Sequence, residues 1–382
     1  MSTDIARVAA DSASLSAWFH RAGGVFLLRQ MARSIEVLKK PGSRLPRLGR
    51  VSSAKFVVLC YHRVGIDGVP YYSRLAPEVF EQQVRSLRQT YTILPLREIC
   101  ERIQRGDTAG QGVAITFDDG YREVLTAALP ILQKYQVPAT VFLTVNAIET
   151  GECSWYDRIF AALRTFPKDE FQIGWLGPDA LDLRPAGSRT RAAEAIIGWM
   201  RTLPNRTRIE MCTIFEGFAP PPSDPLRDRM LSWEEVRSMR KAGIEIGSHS
   251  LTHPSVGHLD AEELESELGE SKRIIEQRLR EPIEAFAYPF GKPSDCGDGA
   301  AEVLRKHGYH SAATTVWGIN GTGVDTLSLR RVLIGEDNGP HAFAVKLARL
   351  FLEPVTLTSG QQESQTRPSL QPGFSNSNET LP

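Results

Sequence analysis

The sequence predicts an α/β chain folded as an incomplete (β/α) barrel with about seven parallel strands. Three observations carry that prediction. Short β-rich runs recur between residues 55 and 334, several of them near-continuously apolar, as strands covered on both faces require. Helical patterns fill the intervals, and repeated strand, helix, strand units indicate a parallel sheet. Four of the runs end in residues that carry chemistry, which is where a parallel barrel builds its site.

Taken in order, the runs are 55–60 (KFVVLC), 113–117 (VAITF), 139–145 (ATVFLTV), 244–247 (IEIG), 284–288 (EAFAY), 310–315 (HSAATT) and 329–334 (LRRVLI). Pro77 suits the first turn of a helix whose Phe80, Val84 and Leu87 follow at i, i+4, i+7. Ser232 and Glu235 have capping-box spacing before Val236 and Met239, with Gly243 as the terminal residue. Asp260 and Glu263 repeat that spacing, and Leu264, Leu268, Ile275 and Leu279 then share one face. Residues 151–231 interrupt the rhythm: Trp155, Tyr156, Phe160, Trp175 and Trp199 are scattered through a stretch with no clear strand. An insertion of this length is expected to build a substrate wall or lid on the catalytic body, 55–354.

Charge sharpens the organisation. The chain of 382 residues has 45 Lys and Arg against 45 Asp and Glu, which argues against a nucleic-acid partner. Residues 1–54 nonetheless carry nine basic side chains against three acidic ones, and a helical stripe of Leu28, Met31, Ala32, Ile35 and Leu38. Such a basic amphipathic segment packs on its own domain or makes peripheral contact with an anionic membrane. Residues 355–382 are rich in Ser, Thr, Gln and Pro and are expected to form a disordered tail. The five cysteines are widely spaced and form no Cys-x-x-Cys pair, so neither a disulfide framework nor a thiolate zinc site is expected. Asp4, Arg7 and Asp11 interrupt any signal-peptide core, and no run approaches the roughly 20 apolar residues that span a bilayer. The expectation is a cytoplasmic protein, with membrane association left to the basic arm.

The loaded strand ends are Tyr61-His62, Asp118-Asp119-Gly120, Ser248-His249 through His253, and Tyr288-Pro289-Phe290-Gly291. His249 and His253 flank a strand-to-turn segment, and imidazole suits zinc and other transition metals. Adjacent carboxylates repel, so Asp118 and Asp119 need exposure or a cation to remain ionised together. One of them binding metal and the other acting as general base resolves both demands. Two His and one Asp leave open positions for water and substrate, as catalytic zinc sites do.

Thr116-Phe-Asp-Asp-Gly120 followed by His249-Ser-Leu-Thr-His253 resembles the first two motifs of the polysaccharide deacetylases, carbohydrate esterase family four. The resemblance implies a distorted barrel, a divalent metal, zinc above others, and removal of acetyl groups from an acetylated glycan. It casts Asp118 as the base, Asp119, His249 and His253 as metal ligands, and the Phe290 backbone N–H as an oxyanion donor. The family's third motif begins with an Arg that steadies the base. Here that position is Ala287, leaving Arg331 as the candidate substitute. The family's Asp-x-x-Asp-Trp motif has no match around Thr314 to Asn320, and its Leu-x-His acid is missing from Leu333-Ile-Gly335. Cys60-Tyr-His-Arg-Val64 instead resembles the Tyr-His-x-Val signature of a rearranged branch, which includes deacetylases of exported poly-N-acetylglucosamine. That resemblance makes His62 the general acid, with His341 a weaker candidate.

The function expected is a metal-dependent hydrolase removing acetyl groups, N-acetyl above all, from a polysaccharide. Two alternatives share the fold: a deacetylase of a lipid-linked or nucleotide-linked sugar precursor, and a non-catalytic sugar-binding module. A non-haem iron oxygenase also uses two His and a carboxylate, but its His-x-Asp spacing is missing and its scaffold is all-β.

Overall fold

The computed structural model describes residues 54–66, 74–107, 110–171, 181–185, 187–218 and 229–352. The basic arm at 1–54, save Ala54, and the tail at 355–382 lie outside them. Seven parallel strands form one curled sheet with helices around it, an incomplete α/β barrel. They are β1 (Lys55–Tyr61), β2 (Gln111–Phe117), β3 (Thr140–Leu143), β4 (Glu245–Ser248), β5 (Ala285–Ala287), β6 (Ser311–Ala313) and β7 (Val332–Leu333), each inside or overlapping its predicted run. In space β1 to β6 follow chain order, and β7 pairs with β1 through Leu59↔Val332 and Cys60↔Leu333. A parallel bridge between Ala313 and Leu329 ties β6 to the chain that leads into β7. One short segment thus crosses from one sheet edge to the other.

The strands are buried on both faces because each face has its own core. Val57, Leu59 and Tyr61 of β1 and Val113, Ile115 and Phe117 of β2 pack outward with the helices. The alternate residues Phe56, Val58 and Ala114 pack inward with Phe142, Ala285, Ala287 and Ala313. Most inward residues are small because the interior is narrow: a Cβ on Gly247 would stand 2.6 Å from the Phe142 ring and 2.7 Å from the Ala285 carbonyl oxygen. The period of two continues upward and turns Cys60 and His62 from β1, and Thr116 and Asp118 from β2, toward the same interior.

The helices follow their sequence signals. They are α1 (Pro77–Thr90), α2 (Leu96–Gln104), α3 (Leu129–Tyr135), α4 (Val145–Thr150), α5 (Trp155–Thr165), α6 (Ser188–Met200), α7 (Asn205–Phe218), α8 (Trp233–Lys241), α9 (Ala261–Leu279), α10 (Pro293–Cys296), α11 (Ala300–Lys306) and α12 (Pro340–Leu352). Phe80, Val84 and Leu87 are the buried face of α1. Both expected capping boxes form, at Ser232 for α8 and at Asp260 for α9, so Asp serves where Ser or Thr is usual. The insertion 151–231 contains α5, α6 and α7 around its own core, which includes Trp155, Tyr156, Ile196 and Phe215. It also holds a short antiparallel pair, Glu170–Phe171 with Leu181–Asp182, where the sequence showed no strand. No helix among the described residues is long and apolar enough to cross a membrane.

Candidate metal centre and catalytic pocket

The loops after β2, β4 and β5 depart from ordinary backbone where they meet. Asp119, Ser250, His253 and Phe290 all have left-handed φ values, 74°, 69°, 57° and 60°, which side chains other than Gly seldom adopt. The fold holds these turns with specific bonds. Ser250 Oγ accepts the His253 N–H, and Ser248 Oγ accepts the Ser250 N–H. The Val145 and Asn146 N–H groups at the start of α4 donate to Ser250 and Leu251 carbonyls, so the helix end is satisfied by the histidine loop itself.

Asp119, His249 and His253 converge. Their ligand atoms lie within 4.8 Å of one another, and all three side chains are buried. Asp119 Oδ1 is 3.5 Å from His249 Nε2 and 3.3 Å from His253 Nε2. His249 Nδ1 lies 2.7 Å from the Ala287 carbonyl, which can only accept, so Nδ1 carries the proton and Nε2 turns a lone pair toward Asp119. Burial lowers the His249 pKa to about 4, which keeps the ring neutral at ordinary pH. Among the described residues neither buried Asp119 oxygen is paired with a hydrogen-bond donor. A buried carboxylate faced by the His249 lone pair and by His253 Nε2 is what a divalent cation would satisfy, and the donor set of two nitrogens and one oxygen fits zinc.

His253 is held by packing. Its ring sits 4.8 Å from those of Tyr156, Phe290 and His249, and its carbonyl accepts the Trp155 indole N–H at 2.9 Å. Trp155 and Tyr156 are therefore core residues behind the site and not a sugar-stacking face. The insertion that supplies them also sends Arg201 across the Phe290 ring, 4.1 Å from its centre, while Asp295 anchors that guanidinium at 2.7 and 2.8 Å. Among the described residues no acceptor is paired with the Phe290 N–H, and the left-handed turn is completed by Gly291, where a Cβ would meet the Thr315 nitrogen at 2.7 Å.

Beside this centre, Asp118 is gripped by Arg331. Nη1 donates to Oδ1 and Nη2 to Oδ2, each at 2.7 Å, while Nε donates to the Thr314 carbonyl. This is the bidentate geometry that a guanidinium offers a carboxylate. Burial would push the Asp118 carboxyl up, but the Arg331 guanidinium holds it well below the usual carboxylate range. The Cys60 thiol donates to Asp118 Oδ2 at 3.4 Å, and burial keeps that thiol protonated. His62 Nε2 stands 4.0 Å from the same oxygen. His341 is exposed on α12, and His258 is exposed beyond the histidine loop. Asn320 is buried and serves structure, donating to the Arg330 carbonyl and accepting the Arg330 N–H.

A sequence profile described as polysaccharide deacetylase matches residues 105–312, more than half of the chain. The chain belongs to the polysaccharide deacetylase family. Polysaccharide deacetylases are hydrolases of carbon–nitrogen bonds other than peptide bonds, acting on acetylated glycans, and they generally depend on a metal. Among curated relatives, the Bacillus subtilis (strain 168) protein YxkH, named for the same activity, is 20% identical over 313 residues, covering 81% of this chain and 82% of its own. The fold is shared with the Streptococcus pyogenes deacetylase PplD, solved in complex with acetate: 18% identity, TM-score 0.52, 76% of this chain and 97% of that one. It is shared as well with BA0330 of Bacillus anthracis: 22% identity, TM-score 0.50, 77% of this chain and 69% of that one.

Sequence reading of this polysaccharide deacetylase overlooked Glu267. Its carboxylate, 2% exposed, accepts the Leu251 and Thr252 N–H groups at 2.9 Å each, the Thr252 hydroxyl, and Asn205 Nδ2 at 3.0 Å. A signal was present: Glu267 lies on the α9 stripe between Leu264 and Leu268, and an acid on an apolar face is seldom buried without partners. Glu267→Gln, which turns one acceptor into a donor facing donors, is expected to destabilise the protein by about 1–3 kcal/mol. Chemical denaturation checks this, and an unchanged midpoint would refute it.

Proposed function

We propose that the protein is a metal-dependent deacetylase removing N-acetyl groups from a polysaccharide. The observation that carries this reading is the buried Asp119, His249, His253 cluster with an unmatched carboxylate, set beside a second carboxylate that Arg331 keeps ionised. A divalent cation held by those three residues, zinc by the donor set, would polarise the acetyl carbonyl and make water more acidic. Asp118, ionised and with Oδ2 turned toward the cluster, takes the proton from the attacking water. The Phe290 N–H donates to the oxygen on which negative charge develops. His62, within 4.0 Å of Asp118, gives a proton to the departing amine. Acid and base with opposed protonation states yield a bell-shaped pH profile.

The position of His62 directly after Tyr61 on β1 supports a kinship with the branch that deacetylates poly-N-acetylglucosamine. Base, acid and all three cation donors are present together, which favours catalysis over sugar binding alone. Acetate release is the deciding assay. Chelator treatment should reduce it to background and Zn2+ should restore it; turnover unaffected by exhaustive chelation would reject metal dependence. The same assay run on acetylated polymers and on lipid-linked sugars separates the two substrate classes. Activity confined to the lipid-linked sugars would favour the alternative, with residues 1–54 making the membrane contact.

A further inference from the structure

Phe290 stands at the centre of a three-residue turn. The Gly291 N–H donates to the Pro289 carbonyl at 2.6 Å, and Phe290 between them has a φ of 60°. This is a γ-turn of the rare left-handed kind, which persists only where its surroundings hold it. The barrel holds the exit of the turn: Thr315 Oγ1 donates to the Phe290 carbonyl at 2.6 Å, and the Thr315 N–H to the Gly291 carbonyl at 2.8 Å. Among the described residues, the peptide that carries the Phe290 N–H is bonded within the turn alone, through the Pro289 carbonyl. Its direction is left to the packing of the Phe290 ring.

That ring is packed against the core of the insertion, with Trp155 and Tyr156 at 6.2 and 6.3 Å between ring centres. Arg201 closes over it and is tied at both ends. Its N–H donates to the Ile197 carbonyl at 3.0 Å, where it caps α6, and its Nη2 donates to both Asp295 oxygens. Asp295 is buried and is held in turn by the Ser255 hydroxyl at 2.7 Å and the Lys292 N–H at 3.0 Å. Arg201 therefore straps the insertion to α10, with the Phe290 ring under the strap, 4.1 Å from the guanidinium carbon. A guanidinium fixed in this way does not follow the ring when the turn relaxes, so relaxation forfeits the cation–π contact.

We propose that Arg201 is a positioning residue for the deacetylation proposed above, on which this inference rests: its guanidinium holds the Phe290 turn in the strained form that leaves the N–H open to the developing oxyanion. Arg201 acts through Phe290 and is not itself catalytic. The insertion serves the chemistry in this way, because it supplies both the strap and the aromatic bed of the ring.

The test compares Arg201→Met, Phe290→Leu and the double variant with the wild type, all as full chains. Loss of one partly shielded cation–π contact shifts the balance between strained and relaxed turn by about 2- to 30-fold. Deuterium exchange of the Gly291 amide, whose bond closes the turn, should quicken by that factor in Arg201→Met while the α9 amides keep their rates; mass spectrometry with fragmentation reads both. The kcat for acetate release should fall by about the same factor with KM unchanged, as for a donor that acts in the transition state. In the Phe290→Leu background Arg201→Met should have little further effect on kcat, because the ring that transmits it is gone. A merely structural role would lower kcat equally in both backgrounds. The proposal is overturned by unchanged Gly291 exchange or unchanged kcat in Arg201→Met, by a raised KM in place of a lowered kcat, or by an equal further loss in Phe290→Leu, and each of these leaves wild-type deacetylation standing. A wild type that releases acetate from no acetylated glycan overturns the deacetylase reading itself, and the positioning role with it. Should Arg201→Met fail to fold, Arg201→Gln, which can still donate to Asp295, takes its place with the same expectations.

Discussion

Asp118→Asn is expected to lower acetate release by about 10²- to 10⁴-fold while the protein still binds its metal. The range is that of a general base removed from a positioned site. Metal content should survive because Asp119, His249 and His253 keep their places, and the Asn oxygen still accepts one Arg331 donor. Steady-state kinetics paired with metal analysis of the same preparation provides the check. A folded, metal-loaded Asp118→Asn protein with wild-type turnover would dismiss Asp118 as the base.

The second large effect is on stability and pH response together. Arg331→Met leaves the Asp118 carboxylate, 2% exposed, without its bidentate partner. Removing one member of a buried ion pair costs about 3–5 kcal/mol, because the remaining charge is stranded. The double variant Asp118→Asn with Arg331→Met should recover part of that loss, and denaturant titration of the four proteins measures the coupling directly. The sign with pH follows from the direction of the shift. Asp118 is held below the ordinary carboxylate range in the folded protein. Its contribution to stability is therefore fully present above that range and is lost as pH falls through the lowered value. Without Arg331, burial is left unopposed and the pKa rises. The acidic limb of kcat/KM should then move to higher pH in Arg331→Met, and a limb that stays in place would refute the pairing.

The fold was legible because its strands are short apolar runs, and because Gly and capping residues mark the helix ends. Candidate site residues were legible for a topological reason: in a parallel barrel the strand ends meet, so chemistry written at four strand ends gathers in space. Other features travel by less direct routes. Arg331, read from the sequence only as a candidate for the missing third-motif Arg, stands just before β7 and meets Asp118 across 213 positions of chain, so that nothing local marks its bidentate grip. Cys60 reads as an ordinary buried thiol until the period of two places it beneath Asp118. Trp155 and Tyr156 could by type stack on a sugar face, although aromatic residues in an α/β protein are more often core, and the packing of the insertion against His253 places them in the core. The left-handed turns at Asp119, Ser250 and His253 carry no glycine to announce them.

The crossing of the final segment from β6 to β1 orders events in time as well as in space. A growing chain that has been synthesised through β6 already contains His62, Asp118, Asp119, His249, His253 and Phe290. It does not yet contain Arg331, which arrives with the segment that closes the seam between β6 and β1. Until then Asp118 has only the cost of its burial. The nascent barrel therefore has reason to stay open at that edge and to keep the carboxylate in water. Closure of the seam therefore brings burial and the guanidinium together, so that Asp118 is enclosed only with the partner that keeps it ionised.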